Sequence, residues 1–447
     1  MSGFNQFKTT ITEDSGHYFR YPVDIPRDAY EAEFEYSFFP KRGENGKNEI
    51  DLILTGKPLA EGEGERDIGT RGSSVGRVVI SKAYSTPGYE RVSPSEITSV
   101  VIGRGRLGSK EVEVVVKWRF KRKERRYYAG DMHTHSVNSD GRLTYEKLLK
   151  KGKRKGLDFL FVTDHNRTVT GELPAVAGLT AIEGVEITLF DGHANFLGVR
   201  QPYSGSFTVD SLEKWRELRD EARSNGAFIV VNHPFCKRCP WRWELNAEDF
   251  DAAEVINGPP REDNRTATEW WKKQLSVKRL VPVGGSDYHR DYFVVSTLGM
   301  PVTFVLADSA EKQDIMEGLR RGHTAVASSL KRGAIELRSG EYVAGDEAPF
   351  TGDNVVTVRV PYMKRGEKLR ITDGEGVLKE MTAKKSGGIA VSVMPRTKGA
   401  FFAEVVSGYR GVKRLVFDIL LSFMLPEDAF RRHPEFTFAL SAPIYFV

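Results

Sequence analysis

The 447-residue chain is 40% hydrophobic and 28% charged, with a formal net charge of +5. It is too long for one ordinary core and has the balance of a soluble globular protein of two or three domains. Its basic and acidic residues are interspersed, which gives no nucleic-acid signature, and no apolar run approaches ~20 residues, which excludes a membrane span.

The first stretch, Met1 to Glu13, is polar and lacks the apolar centre of a secretion signal. Two cysteines are too few for a disulfide scaffold and suit a reducing compartment, so a cytoplasmic protein is expected. From about 15 to 120 the chain reads as β-structure. The runs His17 to Val23, Glu31 to Phe39, Glu49 to Leu54 and Gly76 to Ser81 lie between Gly-, Pro- and charge-rich turns. Val112, Val114, Val116, Trp118 and Phe120 alternate with mostly charged residues, a period of two that leaves one face buried. A β-sandwich-like domain over 1–126 is the expected packing, with the basic run Lys121 to Arg126 as a linker.

Between 127 and 331 the pattern changes to apolar strands alternating with helices. Strands are expected at Tyr127–His133, Leu157–Thr163, Leu179–Ile187, His193–Val199, Ala227–Asn232, Ala252–Ile256, Leu280–Gly284 and Gly299–Leu306. Helices are expected at Thr144–Lys155, Val209–Ser224, Thr266–Leu275 and Ser309–Arg321, the last with Asp308 and Glu311 as a capping box and Gly322 as its stop. Such alternation means a parallel sheet, open or closed. From 332 to 447 strand-like alternation returns, with Asp373-Gly374 as a hairpin turn, and a C-terminal β-domain is expected. The apolar run Leu415 to Leu425 is too short to span a bilayer.

Six of the nine histidines fall between 133 and 289. His133 and His135 are two apart, so on an extended backbone both leave the same face. The apolar runs that follow deliver Thr163-Asp164-His165, Glu186, Asn232-His233-Pro234 and Ser286-Asp287-Tyr288-His289, while His193 opens a strand. Strand ends of a β/α barrel converge on one cavity. Imidazoles and carboxylates gathered there point to a multinuclear metal site.

The ordered series Asp131-x-His133-x-His135-Ser136, Ser139-Asp140-Gly141, Thr163-Asp164-His165-Asn166, Glu183-Gly184-x-Glu186, Gly192-His193, Asn232-His233-Pro234 and Gly285-Ser286-Asp287-x-His289 resembles the polymerase and histidinol phosphatase (PHP) superfamily. The resemblance implies a distorted (β/α)7 barrel over 127–331, flanked by the two β-sandwich-like domains and holding two or three divalent metal ions (Mn, Zn or Fe). It implies three metal positions: His133, His135, Glu186 and Asp287; Glu186 as a bridge with His193 and His233; and Asp140, His165 and His289. Asp131 and Asp164 would be carboxylates that fix imidazole tautomers. Arg71-Gly72-Ser73, Thr86-Pro87-Gly88-Tyr89 and Ala442-Pro443-Ile444-Tyr445 resemble the carbaryl hydrolase-like branch.

A water shared by two dications ionises near neutral pH, which supplies a nucleophile without a side-chain base. Three carboxylates against three dications leave an excess of roughly +3, which favours a small anionic substrate. Arg265 and Arg290 lie near motif ends and could clamp a phosphate. The first expectation is a phosphoesterase acting on a small monoester or diester, with Glu186, Asp287, His233, Arg265 and Arg290 at the chemistry. The alternatives are hydrolysis of a carboxylic or carbamic ester or amide, and an inert barrel whose β-domains bind a ligand such as a glycan. Cys236 and Cys239, just past His233, read as ordinary loop thiols, a reversible disulfide or half of an accessory metal site.

Overall fold

The structure, a computed structural model, describes residues 4–72, 76–292, 296–408, 419, 422 and 435–447. Ser73 and, apart from Ile419 and Ser422, the apolar run 415–425 lie outside the described residues. The chain forms two compact units, 1–124 with 175–178, and 125–174 with 179–447.

In the first unit the alternation around Val114 is a strand, Glu111–Arg122, with Val112, Val114 and Val116 buried. It pairs antiparallel with Asn5–Thr12 and Ala29–Phe39, and the latter pairs with Arg77–Ile80. A second four-stranded sheet joins Tyr18–Pro22, Ile97–Arg104, Ile50–Gly56 and Arg66–Arg71. Inward residues of both sheets, Phe34, Leu52, Val100 and Val114 among them, share one apolar cluster. Each such side chain contributes about 1.5–3 kcal/mol by leaving water. The motif at 86–89 serves this packing. Tyr89 is buried and its hydroxyl donates to the Leu52 carbonyl at 2.6 Å, while Thr86 Oγ1 accepts from Val79 N at 2.8 Å.

The second unit is mixed α/β. Its strands are β1 (Arg126–Asp131), β2 (Phe159–Val162), β3 (Thr180–Leu189), β4 (Gly192–Leu197), β5 (Phe228–Asn232), β6 (Ala252–Asn257), β7 (Val281–Gly285), β8 (Val302–Ala307) and β9 (Thr324–Ala327). They lie side by side in the order β7-β6-β5-β4-β3-β2-β1-β8-β9. The parallel sheet expected from the sequence holds for β1-β2-β3 and for β5-β6-β7. It fails at β4, β8 and β9, each antiparallel to its neighbours. The reason at β4 is connection length: only Phe190 and Asp191 separate it from β3, enough for a hairpin and far too few for a crossover.

Four helices accompany these strands: α1 (Tyr145–Lys155), α2 (Leu212–Ser224), α3 (Glu262–Gln274) and α4 (Lys312–Arg320). Thr144 caps α1 by accepting from Lys147 N, and Gly156 at φ 87° ends it. The capping box expected at α4 is replaced. Glu311 is the N-cap residue without a side-chain cap bond, and Ser309 Oγ accepts from Glu311 N at 3.1 Å.

The sheet curls into a half-barrel without closing its ladder. β7 is an edge strand, yet just beyond its end Asp287 N donates to His133 O and His135 N to Tyr288 O, both at 2.9 Å. Gly285 permits this approach, because a Cβ there would collide with His133 Cβ and Glu254 Oε1. Further strands follow: β10 (Lys368–Asp373), β11 (Gly376–Thr382), β12 (Gly399–Ser407) and β13 (Phe436–Ser441). β13 pairs with β9, so the same sheet runs across the boundary expected at 331.

Candidate metal centre

Strand ends bring the chemistry together. His133 and His135 follow β1 and are fully buried. His135 stacks between His165 and His289, with ring centroids 4.2 and 4.1 Å away. His165 follows β2, Glu186 sits within β3, His193 opens β4 and His233 follows β5. Asp287 and His289 lie beyond β7. Asn166, His233 and Asp287 are the non-glycine residues with positive φ among the described residues, at 49°, 29° and 53°. Such backbone conformations cost about 1–3 kcal/mol each and cluster at functional sites.

Glu186 is the hub. One or other of its carboxylate oxygens lies 3.3 Å from His133 Nε2, 3.5 Å from His135 Nε2, 2.8 Å from His165 Nδ1, 3.1 Å from His193 Nδ1 and 3.4 Å from His233 Nε2. Asp287 Oδ1 is 3.1 Å from His135 Nε2 and 3.5 Å from both His133 Nε2 and His289 Nδ1. On the outer side Asp140 Oδ1 is 3.2 Å from His289 Nε2 and 3.5 Å from His165 Nε2. All nine residues singled out as ligands from the sequence therefore meet at one end of the half-barrel.

The donor chemistry fits divalent cations. Burial pushes the Glu186 and Asp287 carboxyls up, and the imidazoles around them outweigh it and hold both well below the usual range. Burial pushes the His135 ring down, despite Asp287 and Glu186 nearby. His133 Nε2 and His135 Nδ1 are buried and make no hydrogen bond among the described residues. Several sets of three or four donors lie within 4.8 Å of one another, including His133, His135 and Glu186, and His135, Asp140, His165 and His289. Buried carboxylates and lone pairs that converge without a Lys or Arg partner among the described residues match what an oxygen- and nitrogen-ligated ion requires.

Glu254, in β6, escaped the sequence reading. Its Oε1 is 2.9 Å from His133 Nδ1, and its Oε2 accepts from His233 N at 3.0 Å and Asn257 Nδ2 at 3.1 Å. Arg261 Nη2 in turn donates to Asn257 Oδ1 at 2.7 Å. The one available signal was an acid inside the otherwise apolar run Ala252-Ala253-Glu254-Val255-Ile256. Were three dications bound, counting Glu254 would lower the expected excess charge to roughly +2.

The imidazole-fixing role expected of Asp131 and Asp164 is not what their contacts provide. Asp131 accepts backbone N–H bonds from Ser286 (2.9 Å), Gly299 (2.8 Å) and His133 (3.3 Å). Asp164 accepts from Ser136 N (2.6 Å), Ser136 Oγ (2.8 Å) and Ser139 Oγ (2.9 Å). Both hold backbone or loop. Arg265 Nε bonds Glu262 on its own helix at 3.0 and 3.1 Å, so a phosphate there would have to break that pair. Arg290 is exposed, 5.3 Å from the Tyr292 ring centroid.

No family model matches the chain. Over 65 residues, 14% of this chain, it is 32% identical to a phosphoribosyl 1,2-cyclic phosphate 1,2-diphosphodiesterase from Eggerthella lenta, and the match spans a quarter (25%) of that relative's length. Among solved structures, it is similar to a two-domain protein from Bacteroides vulgatus containing a predicted PHP-like metal-dependent phosphoesterase. That match has 20% identity and a TM-score of 0.39, and covers 63% of this chain and 90% of the other. An amidohydrolase from Chromobacterium violaceum matches at 14% identity and a TM-score of 0.25, over 36% of this chain and 87% of the other.

Proposed function

We propose that the chain is a PHP-type metal-dependent phosphoesterase acting on a small phosphomonoester or diester. The observation that carries this reading is the Glu186 carboxylate within 3.5 Å of five imidazoles in a buried cluster. His133, His135, Glu186 and Asp287 would hold one ion, Glu186 with His193 and His233 a second, and Asp140, His165 and His289 a third. Bound dications supply Lewis acidity and ionise water near neutral pH.

The chain's own residues do the rest. Glu254 engages His133 Nδ1, which leaves Nε2 as a lone-pair donor. Asp287, with 28% of its side chain exposed, turns Oδ1 to His133 and His135 and leaves Oδ2, 4.0 Å from His233 Nε2, to orient the substrate or a water by accepting a hydrogen bond. Arg290, exposed beside His289, is the guanidinium assigned to the substrate's phosphate. The aligned diphosphodiesterase segment favours phosphorus over carbon esters.

The test is elemental analysis of the purified chain alongside hydrolysis of 4-nitrophenyl phosphate, bis(4-nitrophenyl) phosphate and 1-naphthyl N-methylcarbamate. Two or more transition-metal ions per chain with turnover of a phosphate ester is the expected result. Turnover of the carbamate alone, or less than one ion per folded chain, overturns the reading.

A further inference from the structure

His233 presents its two ring nitrogens to different chemistry. Nε2 faces the cluster, 3.4 Å from Glu186 Oε1 and 4.0 Å from Asp287 Oδ2. Nδ1 faces sulfur, with Cys239 Sγ 3.7 Å away. A histidine that ligates a metal has its other ring N–H held by an acceptor that fixes tautomer and orientation, commonly a carboxylate or carbonyl. At His133 that acceptor is Glu254; at His233 it is Cys239. This acceptor can be chemically removed, because Cys236 Sγ lies only 3.2 Å from Cys239 Sγ.

We propose that Cys236 and Cys239 are a dithiol–disulfide switch that sets how firmly His233 holds its ion. The proposal rests on His233 being a metal ligand. Both cysteines are free and partly exposed, so a small oxidant reaches them. Their loop is pinned at both ends, by Cys236 N donating to His233 O at 2.8 Å and Trp241 N to Pro234 O at 2.9 Å. The sulfurs need close by only about 1 Å to reach the ~2.05 Å of a disulfide.

The co-reactant is a small-molecule disulfide such as oxidised glutathione. One cysteine thiolate attacks a glutathione sulfur, forming a mixed disulfide and expelling one glutathione thiolate. The second cysteine sulfur then attacks the mixed disulfide and expels the other. The two cysteines lose two electrons, the glutathione disulfide gains them, and the two cysteine protons end on the two glutathione thiols. Closing the bond draws Cys239 Sγ towards Cys236, to which it donates its S–H in the reduced state, and a disulfide sulfur is a poor acceptor, so the 3.7 Å hold on the His233 N–H is weakened.

The test uses the full chain loaded with manganese, a cation with little preference for thiolate, so that its release does not report direct sulfur ligation. Free manganese is read by electron paramagnetic resonance against a competing chelator, after reduced or oxidised glutathione, with the disulfide confirmed by mass. Oxidation is expected to weaken retention of an ion about 10–100-fold, reversibly. Cys236→Ser should retain manganese as the reduced protein does and ignore the oxidant. Cys239→Ser, whose hydroxyl can still accept, should also retain it, whereas Cys239→Ala should bind weakly in both states. Equal retention by the oxidised and reduced wild-type chain overturns the switch and leaves the metal centre standing. A chain that takes up neither manganese nor zinc nor iron in either state removes both.

Discussion

Glu367 and Glu186 are both buried carboxylates, and the molecule neutralises them in opposite ways. Glu367 takes two parallel bonds from Arg332, 2.9 Å from Nη1 and 2.7 Å from Nη2, in a pair only 5% exposed. Glu33 meets Arg119, Asp249 meets Arg216 and Glu404 meets Lys272 in the same spirit. A guanidinium is charged at every physiological pH, so the Arg-paired sites are complete within the chain. Glu186 is ringed by imidazoles, whose charge is optional. The difference separates carboxylates neutralised by a fixed charge within the chain from a carboxylate surrounded by groups of optional charge.

Removing a member of the imidazole–carboxylate set breaks the comparison most severely. Asp287→Ala or His133→Ala is expected to take phosphate-ester hydrolysis to background and to lower the metal count, with circular dichroism unchanged; steady-state assays and elemental analysis check both. Arg332→Met acts on the opposite member. It leaves Glu367 buried and unpaired, and guanidinium unfolding should show a loss of about 3–5 kcal/mol with the metal count intact.

That variant also has a pH signature. Burial pushes the Glu367 carboxyl up and Arg332 more than offsets it, so the folded value lies below the ordinary 4.5. The pair's contribution is therefore full above about pH 4.5 and disappears as pH falls through the lower folded value. Without Arg332 only Lys364, whose N–H donates to Glu367 Oε2 at 2.8 Å, opposes burial, so the folded value moves up and stability should fall less steeply on acidification than in the wild type.

Glu254→Gln gives the smallest and sharpest effect. Metal affinity measured by chelator competition should fall about 10–100-fold. The unfolding midpoint should move little, because the amide can still meet Asn257 and the His233 backbone.

The candidate ligands were legible because each sits in a short local motif, most of them at or just past a strand end and Glu186 within β3. Their order along the chain therefore carries over to three dimensions. Glu254 was not legible, because nothing local distinguishes an acid that reaches across the sheet to His133 from one that is misplaced. The antiparallel insertion of β4 was implied by the five residues, 188–192, between the two expected strands, which leave no room for a helix. The tasks given to Asp131 and Asp164 went astray for a geometric reason. Asp131, two residues before His133, and Asp164, next to His165, spend their oxygens on backbone N–H and serine hydroxyl groups rather than on the rings. Arg265 is held by Glu262, three residues before it on the same helix, a pairing that helical spacing favours.

The hydrogen bonds that tie the segment after β1 to the segment after β7 have a consequence for synthesis. His135 and Asp287 are 152 positions apart, yet their side chains are in contact. A ribosome making about 5–20 residues per second exposes the first histidines many seconds before the last carboxylate. The cluster is thus completed late in the life of each new chain, and a nascent fragment that stops short of Gly284 has its first imidazoles without the Asp287 carboxylate they meet in the fold.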